Sequence, residues 1–253
     1  MGRFAQKVVL ITGGSTGIGL TTALAFAREG ATIVIAGRRV AEGEQAFALL
    51  KEQGADVSFI ATDVTSKAEV EHLMREIVAR YGRLDIAFNN AGTIGVRRDI
   101  ADVSEEEWDA TIAINLKGTW LSMKYEIQQM LIQGCGVIVN MGSNIGVHSV
   151  QPMVGAYATA KAGVQTLTKV AALGYIRAGI RINSVSPGPI RTPMSKRSGE
   201  TDEERDRRVA TSLPIGRIGE AEEIANAVLW LSSPEASFVV GHDIVLDGGF
   251  TLQ

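Results

Sequence analysis

The sequence predicts one α/β domain spanning residues 1–253, built as a doubly wound, seven-stranded and mostly parallel sheet with helices on both faces. Short runs rich in β-branched residues alternate with helix-length amphipathic segments along the chain, and no repeat, low-complexity tract or Pro/Gly-rich linker interrupts them. Strands that alternate with helices pair in parallel and bury both faces of their sheet. A hydrophobic content of 45% is enough for one large core, so we place no domain boundary.

Seven strands and the helices between them make up this alternation. The predicted strands are residues 7–11, 32–36, 57–61, 84–88, 137–141, 180–185 and 243–246. Two of the helices between them should begin at capping boxes, at residues 66–69 and 104–107, and two others should end at Gly30 and Gly54. The connections between consecutive strands are long enough for the crossovers that parallel strands need.

Composition and charge narrow the classes of function. The net charge of −3 gives no broad positive field for a nucleic acid or an anionic membrane. The apolar run at residues 8–11 is too short for a signal peptide or a membrane span, and the single cysteine, Cys135, excludes an intrachain disulfide. We therefore expect a freely soluble, cytoplasmic protein in which Cys135 packs without a chemical role. His72, His148 and His242 are scattered, so no metal site is expected.

A glycine-rich turn, TGGSTGIG at residues 12–19, joins the first strand to a helical pattern. Glycines allow a tight turn and a close approach of a pyrophosphate to the amides at the start of the helix. The spacing GxxxGxG lacks the Lys-Ser/Thr pair of a nucleotide-triphosphate P-loop, which disfavours kinase or ATPase chemistry. The turn predicts a Rossmann-type dinucleotide site, although by itself it could be only a tight connection. The residues expected to touch the cofactor are Gly13, Ser15, Thr16, Gly17, Ile18 and Gly19.

The end of the second strand indicates which dinucleotide binds. An acidic residue about twenty positions beyond the turn reads the 2′-hydroxyl of NAD, but this chain has Gly37, Arg38 and Arg39 there. A guanidinium can grip a 2′-phosphate with paired hydrogen bonds and stack on adenine. The sequence therefore predicts NADP(H). The alternative is that both arginines only solvate a loop, and the pattern places nearby Glu42 inside the next helix.

Tyr157 and Lys161 are candidates for proton transfer. They are four residues apart in a segment of helical character, so their side chains should lie on one helix face. A phenol ordinarily has a pKa near 10, which an adjacent ammonium and a cationic nicotinamide would lower. Tyr157 would then be a usable acid or base. Such a pair alone is weak evidence, because helical pairs occur often by chance.

Further polar residues follow predicted strands. Ser143 comes after the strand at 137–141, where its hydroxyl could hydrogen-bond a carbonyl oxygen at the carboxyl edge of the sheet. The segment NNAG at 89–92 follows the strand at 84–88, and Asn115 opens the next helix. These strand ends should converge with the glycine turn.

In chain order the motifs are TGGSTGIG at 12–19, NNAG at 89–92, Asn115, Ser143, Tyr157-x-x-x-Lys161 and PGPIRT at 187–192. With all six in this order, the chain resembles the classical short-chain dehydrogenase/reductase family over essentially its whole length. Each motif is modest, but their joint occurrence is highly specific. No catalytic position departs from the family pattern.

The resemblance implies a role for each catalytic residue. Tyr157 would donate the proton to the carbonyl oxygen, Ser143 would hold that oxygen, and Lys161 would grip the nicotinamide ribose and tune Tyr157. Asn115 would hold a relay water. Tyr157 and Lys161 would both also touch the cofactor. Further implied contacts are Asp63 and Val64 at the adenine, Asn90, Ala91 and Gly92 beside the ribose, and Pro187, Gly188, Ile190 and Thr192 at the nicotinamide and pyrophosphate.

The predicted function is hydride transfer between NADP(H) and a ketone, aldehyde or secondary alcohol, as in a ketone reductase. The resemblance also implies a homotetramer in which helices around residues 116–133 and 157–178 pack between subunits. One alternative is a 3-oxoacyl-carrier-protein reductase, which would need a basic surface for its acidic carrier, whereas residues 126–134 contain no basic residue. The other is a non-catalytic nucleotide-sensing protein on the same fold, against which the intact Ser143, Tyr157 and Lys161 argue.

Two segments should contact the substrate. One lies between Ser143 and Tyr157, and the other is formed by Met194, Val209 and Leu213, the apolar edges of a charged stretch. In that stretch, 195–208, ten of fourteen residues are charged, five of each sign. We expect residues 193–214 to form a mobile lid, with a solvated face as the alternative. The residues expected to line the substrate pocket are Ile145, His148, Gln151, Met153 and Met194.

Overall fold

Seven strands form one sheet in the order β3-β2-β1-β4-β5-β6-β7 in the computed structural model of the protein, which describes residues 2–197 and 199–253. The strands are β1 (Val8–Thr12), β2 (Thr32–Gly37), β3 (Val57–Ala61), β4 (Ile86–Asn89), β5 (Gly136–Met141), β6 (Ile180–Pro187) and β7 (Asp243–Leu246). All neighbouring strands pair in parallel, so the sheet is wholly rather than mostly parallel. The strand order reverses beside β1, which has β2 on one side and β4 on the other. Open α/β sheets bind ligands at the crevice that such a reversal creates.

Helices cover both faces of this sheet. They are α1 (Gly17–Arg28), α2 (Val40–Glu52), α3 (Lys67–Tyr81), α4 (Glu105–Ile112), α5 (Gly118–Gln133), α6 (Gly155–Tyr175), α7 (Asp202–Ala210) and α8 (Ala221–Ser232). One apolar cluster includes buried residues of α1, α2 and α8, and a second includes buried residues of α3, α5 and α6. Within the described residues, no helix is long and apolar enough to cross a membrane.

The two apolar clusters share each central strand because neighbouring side chains of a strand point to opposite faces. On β1, Val9 and Ile11 belong to the α1 side, whereas Val8 and Leu10 belong to the opposite side. A strand buried on both faces is apolar at every position, which explains why this run shows no alternation of polar and apolar residues. The doubly wound architecture is thus confirmed.

The predicted strands are all present, with small differences at their ends. β4 begins at Ile86 rather than at residue 84, because the backbone of Leu84 bonds to the side chain of Gln133 instead of a neighbouring strand. β6 continues two residues beyond its predicted end, to Pro187, where it pairs with Leu246 of β7. Both differences arise from contacts that are distant in sequence.

The helix ends and the cysteine are only partly as expected. Ser104 forms the complete capping box with Glu107. Ser66 accepts a hydrogen bond from the Glu69 amide, but the Glu69 carboxylate accepts one from the Asp63 amide rather than from Ser66. The packing expected for Cys135 is wrong: it is exposed, because it lies in the turn that connects α5 to β5.

Candidate active site

The glycine turn between β1 and α1 has a backbone that only glycine accommodates. Gly13 and Gly17 have φ values of 64° and 53°, in the left-handed region that other residues rarely adopt. A Cβ on Gly19 would lie 2.2 Å from the carbonyl oxygen of Gly13. The Asn90 side chain donates to the carbonyl oxygens of Thr12 and Gly13, at 3.2 and 3.0 Å. Asn90 therefore fixes the turn itself.

The groups around this turn suit an anionic ligand. The Ser15 hydroxyl is buried and has no hydrogen-bond partner among the described residues. Thr16 precedes α1 without capping it through its side chain, and no acidic residue lies in the first turn of the helix, which contains Gly17, Ile18 and Gly19. Unpaired amides at a helix start attract phosphate groups. The residues present thus fit the pyrophosphate of a dinucleotide.

Arg38 and Arg39 lie beside the turn, at the end of β2, and both are exposed. Arg38 lies 3.6 Å from the Asp63 carboxylate, and Arg39 lies 2.8 Å from Glu42 on α2, inside the helix where the sequence placed that residue. Arg39 also donates to the Thr16 hydroxyl at 3.4 Å. The predicted phosphate-reading residues and the predicted phosphate turn therefore lie together.

Asp63 and Val64 follow β3 at the same edge. Burial acts to raise the pKa of Asp63, but hydrogen bonds from Thr65 and the charge of Arg38 outweigh it, so the pKa is below its ordinary value. Asp63 is therefore an ionised acceptor beside the turn. Val64 is buried against Gly118 at the start of α5, where a Cβ on that glycine would lie 2.7 Å from a Val64 methyl group.

Tyr157 and Lys161 lie on the first two turns of α6. Lys161 is 3% exposed, and its ammonium group is 5.7 Å from the centre of the Tyr157 ring. Burial lowers the pKa of Lys161 to about 8. Burial also raises the pKa of Tyr157, and the neighbouring Ser143 hydroxyl only partly opposes this. Without a cofactor, desolvation of the phenolate thus outweighs its other interactions, and the lowering expected with a bound cationic nicotinamide stays a prediction.

Ser143 is two residues beyond β5 and is buried. Its hydroxyl oxygen accepts a hydrogen bond from the Ile145 amide at 3.1 Å. Because this bond uses a lone pair, the hydroxyl hydrogen stays available for another acceptor, such as the oxygen of a substrate. Ser143, Tyr157 and Lys161 therefore meet at one sheet edge, as the sequence predicted.

Asn115 lies in an irregular turn that the sequence did not indicate. Residues 113–117 form a π-helical turn between α4 and α5, a feature often found at functional sites. The Asn115 amide group donates to the carbonyl oxygens of Thr93 and Thr111, both at 2.9 Å, and its oxygen accepts from the Thr93 amide. Both the amide group and the oxygen of the Asn115 side chain are thus hydrogen-bonded within the protein. The main-chain carbonyl of Asn115 accepts a hydrogen bond from the Thr119 hydroxyl at 2.9 Å, so the relay water that the sequence assigned to Asn115 stays a prediction for this carbonyl rather than for the side chain.

Gly92 and its neighbours lie between Lys161 and the glycine turn. A Cβ on Gly92 would lie 2.8 Å from the side-chain oxygen of Asn115 and 3.6 Å from the Lys161 ammonium. The preceding Ala91 bonds through its amide to the Thr12 hydroxyl at 3.2 Å. Residues 90–92 therefore lie between the glycine turn and the catalytic residues.

The segment after β6 closes the opposite side of the crevice. Gly188 packs so closely on Asp247 that a Cβ would lie 2.6 Å from the Asp247 Cβ, and its amide bonds to Leu246. Ile190 is buried, and a Cβ on Gly17 would lie 3.4 Å from a Thr192 methyl group. Pro187, the last residue of β6, accepts a hydrogen bond from the Asn144 amide. This bond links the segment to residues 142–148, which follow β5 and are called the Ser143 loop below.

The residues predicted to line the substrate pocket differ in how far they are exposed. Ile145 and Gln151 are half-buried, whereas Met153 and Met194 are 47% and 51% exposed. Met153 also has a positive φ of 66°, which is uncommon for a residue other than glycine. His148 binds the Asp243 carboxylate through Nε2 at 2.6 Å, so that ring nitrogen is already engaged.

The expected lid, 193–214, contains α7, although Ser198 within it lies outside the described residues. Its charges pair mainly with one another, as in Arg208 with Glu200 at 2.6 Å and Arg205 with Asp202 at 3.0 Å. Arg191 pairs with Asp206 of α7 and so connects this segment to the cofactor side.

Two polar residues near the site escaped the sequence analysis. Gln165 donates a hydrogen bond to the main-chain carbonyl of Ser143, and Asp243 binds His148 at the end of the Ser143 loop. Gln165 could have been found, because it follows Tyr157 and Lys161 at the next fourth position of the same helix. Asp243 carried no such signal. Among the described residues, no group of three His, Cys, Asp or Glu side chains could hold a metal ion.

Comparison with known proteins gives consistent matches over nearly the whole chain. A family model described as enoyl-(acyl carrier protein) reductase matches residues 13–251. The chain is 37% identical to a cyclohexanol dehydrogenase of Acinetobacter sp. (strain SE19), covering 98% of this chain and 96% of that protein. It is 39% identical to a 3-oxoacyl-(acyl-carrier-protein) reductase of Thermotoga maritima, covering 99% and 100%. A crystal structure of an actinorhodin polyketide ketoreductase with NADPH superposes with a TM-score of 0.92 at 32% identity, covering 99% of this chain and 100% of that one.

Proposed function

Since the chain belongs to the classical short-chain dehydrogenase/reductase family, which uses a nicotinamide cofactor, we propose that it moves a hydride between NADP(H) and a ketone, aldehyde or secondary alcohol. The observation that carries this proposal is the meeting of Ser143, Tyr157 and Lys161 at the sheet edge that also holds the glycine turn. When bound, the nicotinamide supplies or accepts the hydride. The protein has to hold the carbonyl oxygen and deliver a proton to it.

Tyr157 is the proton donor in this proposal. Its raised pKa keeps the phenol protonated near neutral pH, which suits donation to the oxygen of a ketone being reduced. Ser143 donates a hydrogen bond to the same oxygen, because its hydroxyl hydrogen is not used by the Ile145 contact. For alcohol oxidation the phenol must lose its proton. The positive charges of Lys161 and of an oxidised nicotinamide would favour that ionisation.

Lys161 and Asn115 assist this proton transfer. The Lys161 ammonium lies next to the Tyr157 ring and donates one of its three hydrogens to the Met141 carbonyl. Another of these hydrogens would bind the nicotinamide ribose. The carbonyl of Asn115 would hold a water that returns the proton to Tyr157. Of the remaining cofactor residues, Asp63 and Val64 would contact the adenine, Asn90, Ala91 and Gly92 the ribose side, and Pro187, Gly188, Ile190 and Thr192 the nicotinamide and pyrophosphate.

The preference for NADP(H) over NAD(H) rests on three groups at one place. The unpaired Ser15 hydroxyl and the exposed guanidinium groups of Arg38 and Arg39 surround the end of β2. All three can donate hydrogen bonds to a 2′-phosphate. A similar protein was crystallised with NADPH, which supports the same preference.

A ketone or secondary alcohol is the proposed substrate class, and a 3-oxoacyl group on a carrier protein is the second candidate. Similar proteins are named for each. The surface at residues 126–134 favours the first, because Glu126 is buried there and Leu131 and Ile132 are exposed. An apolar surface without a basic residue would not attract an acidic carrier protein. Ile145, His148, Gln151, Met153 and Met194 would line the pocket, with residues 193–214 as its lid.

The proposed assembly is a cytoplasmic homotetramer. Exposed apolar side chains on α5 and α6 support association through these two helices, since such side chains gain by leaving water. They are Trp120, Leu131, Ile132, Val170 and Leu173. The exposed thiol of Cys135 supports a reducing compartment. Sedimentation would test the assembly, and cell fractionation would test the location.

A spectrophotometric screen tests the proposed function. NADPH oxidation should be observed with small cyclic ketones, and NADP⁺ reduction with the matching alcohols, whereas carrier-bound 3-oxoacyl groups should react more slowly. The Tyr157→Phe variant is the control for turnover at this site. Tight NADPH binding without turnover of any carbonyl compound would overturn the proposal and favour the nucleotide-sensing alternative.

A further inference from the structure

A carboxylate lies beneath the Ser143 loop, at the start of β7. The Asp243 side chain is 7% exposed. It accepts hydrogen bonds from the hydroxyls of Ser184 at 2.6 Å and Ser186 at 2.8 Å, from the Gln165 amide at 2.8 Å, and lies 2.6 Å from Nε2 of His148. Within the part of the chain that the structure describes, His148 is the one ionisable side chain paired with Asp243. A buried charge with this many donors has a fixed position.

Gln165 connects Asp243 to the Ser143 loop. Its Nε2 donates to Asp243 and to the main-chain carbonyl of Ser143, at 2.8 and 3.1 Å, while its Oε1 accepts from the Val147 amide at 3.3 Å. The orientation of the Gln165 amide follows from its partners, because a carboxylate and a carbonyl can only accept. One buried side chain thus holds both ends of residues 143–147.

Two further contacts join the loop to the same carboxylate. A Cβ on Gly142 would lie 2.4 Å from the Ser186 hydroxyl and 3.5 Å from Asp243, so the residue before Ser143 packs directly on this network. His148, at the far end of the loop, is 27% exposed at its side chain and reaches Asp243 from the substrate side. Asp243 is therefore connected to the loop before, at and after the catalytic serine.

We propose that Asp243, Gln165 and His148 form a positioning network that sets the place of the Ser143 hydroxyl for proton transfer. Ser143 has to hold the substrate oxygen within hydrogen-bond distance while Tyr157 delivers a proton, and a displacement of about 1 Å can cost roughly a hundredfold in rate. None of the three residues has to touch the reacting atoms. His148 then lines the pocket but acts by holding Asp243 and closing the loop, rather than by selecting the substrate. This inference rests on the proposed function.

The test measures kcat, the KM for a ketone and the Kd for NADPH in five variants. They are Asp243→Asn, Gln165→Met, His148→Ala, His148→Gln and the double variant Asp243→Asn with His148→Ala. Asparagine at 243 removes the charge and turns an NH2 group either to Gln165 and His148 or to the serine hydroxyls, all of which donate to the carboxylate, and should lower kcat roughly tenfold to a hundredfold with NADPH affinity unchanged. His148→Ala should lower kcat less, and His148→Gln should restore it, because a glutamine amide can also donate to Asp243. His242→Ala is the matched control, since His242 is exposed and adjacent to Asp243.

The double variant distinguishes a network from independent roles. If His148 acts through Asp243, removing His148 from the Asp243→Asn protein should cost little more than Asp243→Asn alone. Additive losses, or a His148→Gln variant as impaired as His148→Ala with an altered ketone preference, would overturn the proposal and make His148 a substrate contact. A kcat unchanged in Asp243→Asn and Gln165→Met would also overturn it.

Amide hydrogen exchange tests the same network without requiring substrate turnover. The Val147 amide should exchange faster in Gln165→Met than in the wild-type protein, because its acceptor is removed. This measurement still applies if no substrate is turned over, so failure of the proposed function and failure of the network can be told apart. Unchanged protection at Val147 would contradict the network.

Discussion

The ammonium nitrogen of Lys161 donates a hydrogen bond to the main-chain carbonyl oxygen of Met141 at 2.8 Å. The contact ties the start of α6 to the last residue of β5, two residues before Ser143. It holds the lysine in a buried position, where loss of solvation lowers its pKa to about 8. The catalytic lysine therefore titrates within a range that enzyme assays can reach.

Replacement of Lys161 by alanine should weaken both NADPH binding and turnover, because one ammonium serves the ribose and the phenol. We expect each to fall by roughly tenfold or more, as for loss of a charge-assisted hydrogen bond. NADPH affinity of the wild-type protein should also decline as the pH rises through about 8, where the ammonium is lost. That decline should be absent from Lys161→Ala. Lys169→Ala, an exposed lysine on the same helix, is the control in titrations of cofactor fluorescence. A pure rate effect with unchanged affinity would contradict the dual role.

The Arg38 guanidinium should set the cofactor preference. We expect kcat/KM with NADPH to exceed that with NADH by roughly tenfold to a thousandfold, or about 1.4 to 4 kcal/mol. Gly37→Asp with Arg38→Leu should invert this preference by adding a carboxylate that repels a 2′-phosphate. The change fits the fold, since a Cβ on Gly37 would lie 3.4 Å from the Ser15 hydroxyl. Arg28→Leu, at the far end of α1, is the control. Equal use of both cofactors by the wild-type enzyme would mean that Arg38 only solvates the surface.

Glu126 should make the protein less stable as the pH rises. It is buried beside Asn89, and burial raises its pKa to about 8 although the Asn89 hydrogen bond opposes this. The folded protein then keeps a proton that the unfolded chain releases above about pH 4.3. Stability contributed by the protonated form is present at low pH and is lost progressively up to about pH 8, a change of a few kcal/mol. Glu126→Gln should remove this slope in urea unfolding between pH 5 and 8, whereas the exposed Glu44→Gln should not. An unchanged slope would mean that Glu126 is ionised in the folded protein.

The segment 193–214 should behave as a lid. Its charged middle buries little apolar surface, although Val209 and Leu213 pack with Ile218 in a small cluster. We expect fast amide exchange across 195–197 and 199–208 in the protein alone and marked slowing with NADPH and a substrate analogue together. The amides of the last two turns of α3, which carry none of the proposed ligand contacts, provide the internal control. Strong protection of α7 without ligand would mean a permanently packed helix, and would leave substrate choice to residues 145–153.

The sequence was sufficient for features that depend on local pattern. The strand runs, the glycine turn and the Tyr157–Lys161 spacing each express a backbone period, so the doubly wound fold and the meeting of catalytic residues followed from them. The π-helical turn at Asn115 and the start of β4 were not predictable, because they depend on partners such as Thr93 and Gln133 that are distant in the chain. The direction of the Tyr157 pKa shift in the protein without cofactor could not be read from the sequence for a related reason. Desolvation depends on the packing around a group, and no sequence spacing records it.

The same limit applies to the positioning role proposed for His148. Its place between Ser143 and Tyr157 indicated a residue near the substrate, but its bond to Asp243 joins residues 95 positions apart. Asp243 stands at the start of a predicted strand, and that position gave no sign of the four side chains that hydrogen-bond to it.

Tyr157 is the proposed proton donor in carbonyl reduction, and the Tyr157→Phe variant tests that role. The change removes one hydroxyl from a half-buried ring and leaves the glycine turn and Arg38 untouched. We expect kcat for ketone reduction to fall by roughly a thousandfold or more, with the Kd for NADPH nearly unchanged, because only the proton for the forming alkoxide is lost. Tyr175→Phe, at the other end of α6, should retain full activity. A Tyr157→Phe enzyme that keeps a tenth of the wild-type rate would contradict the assignment.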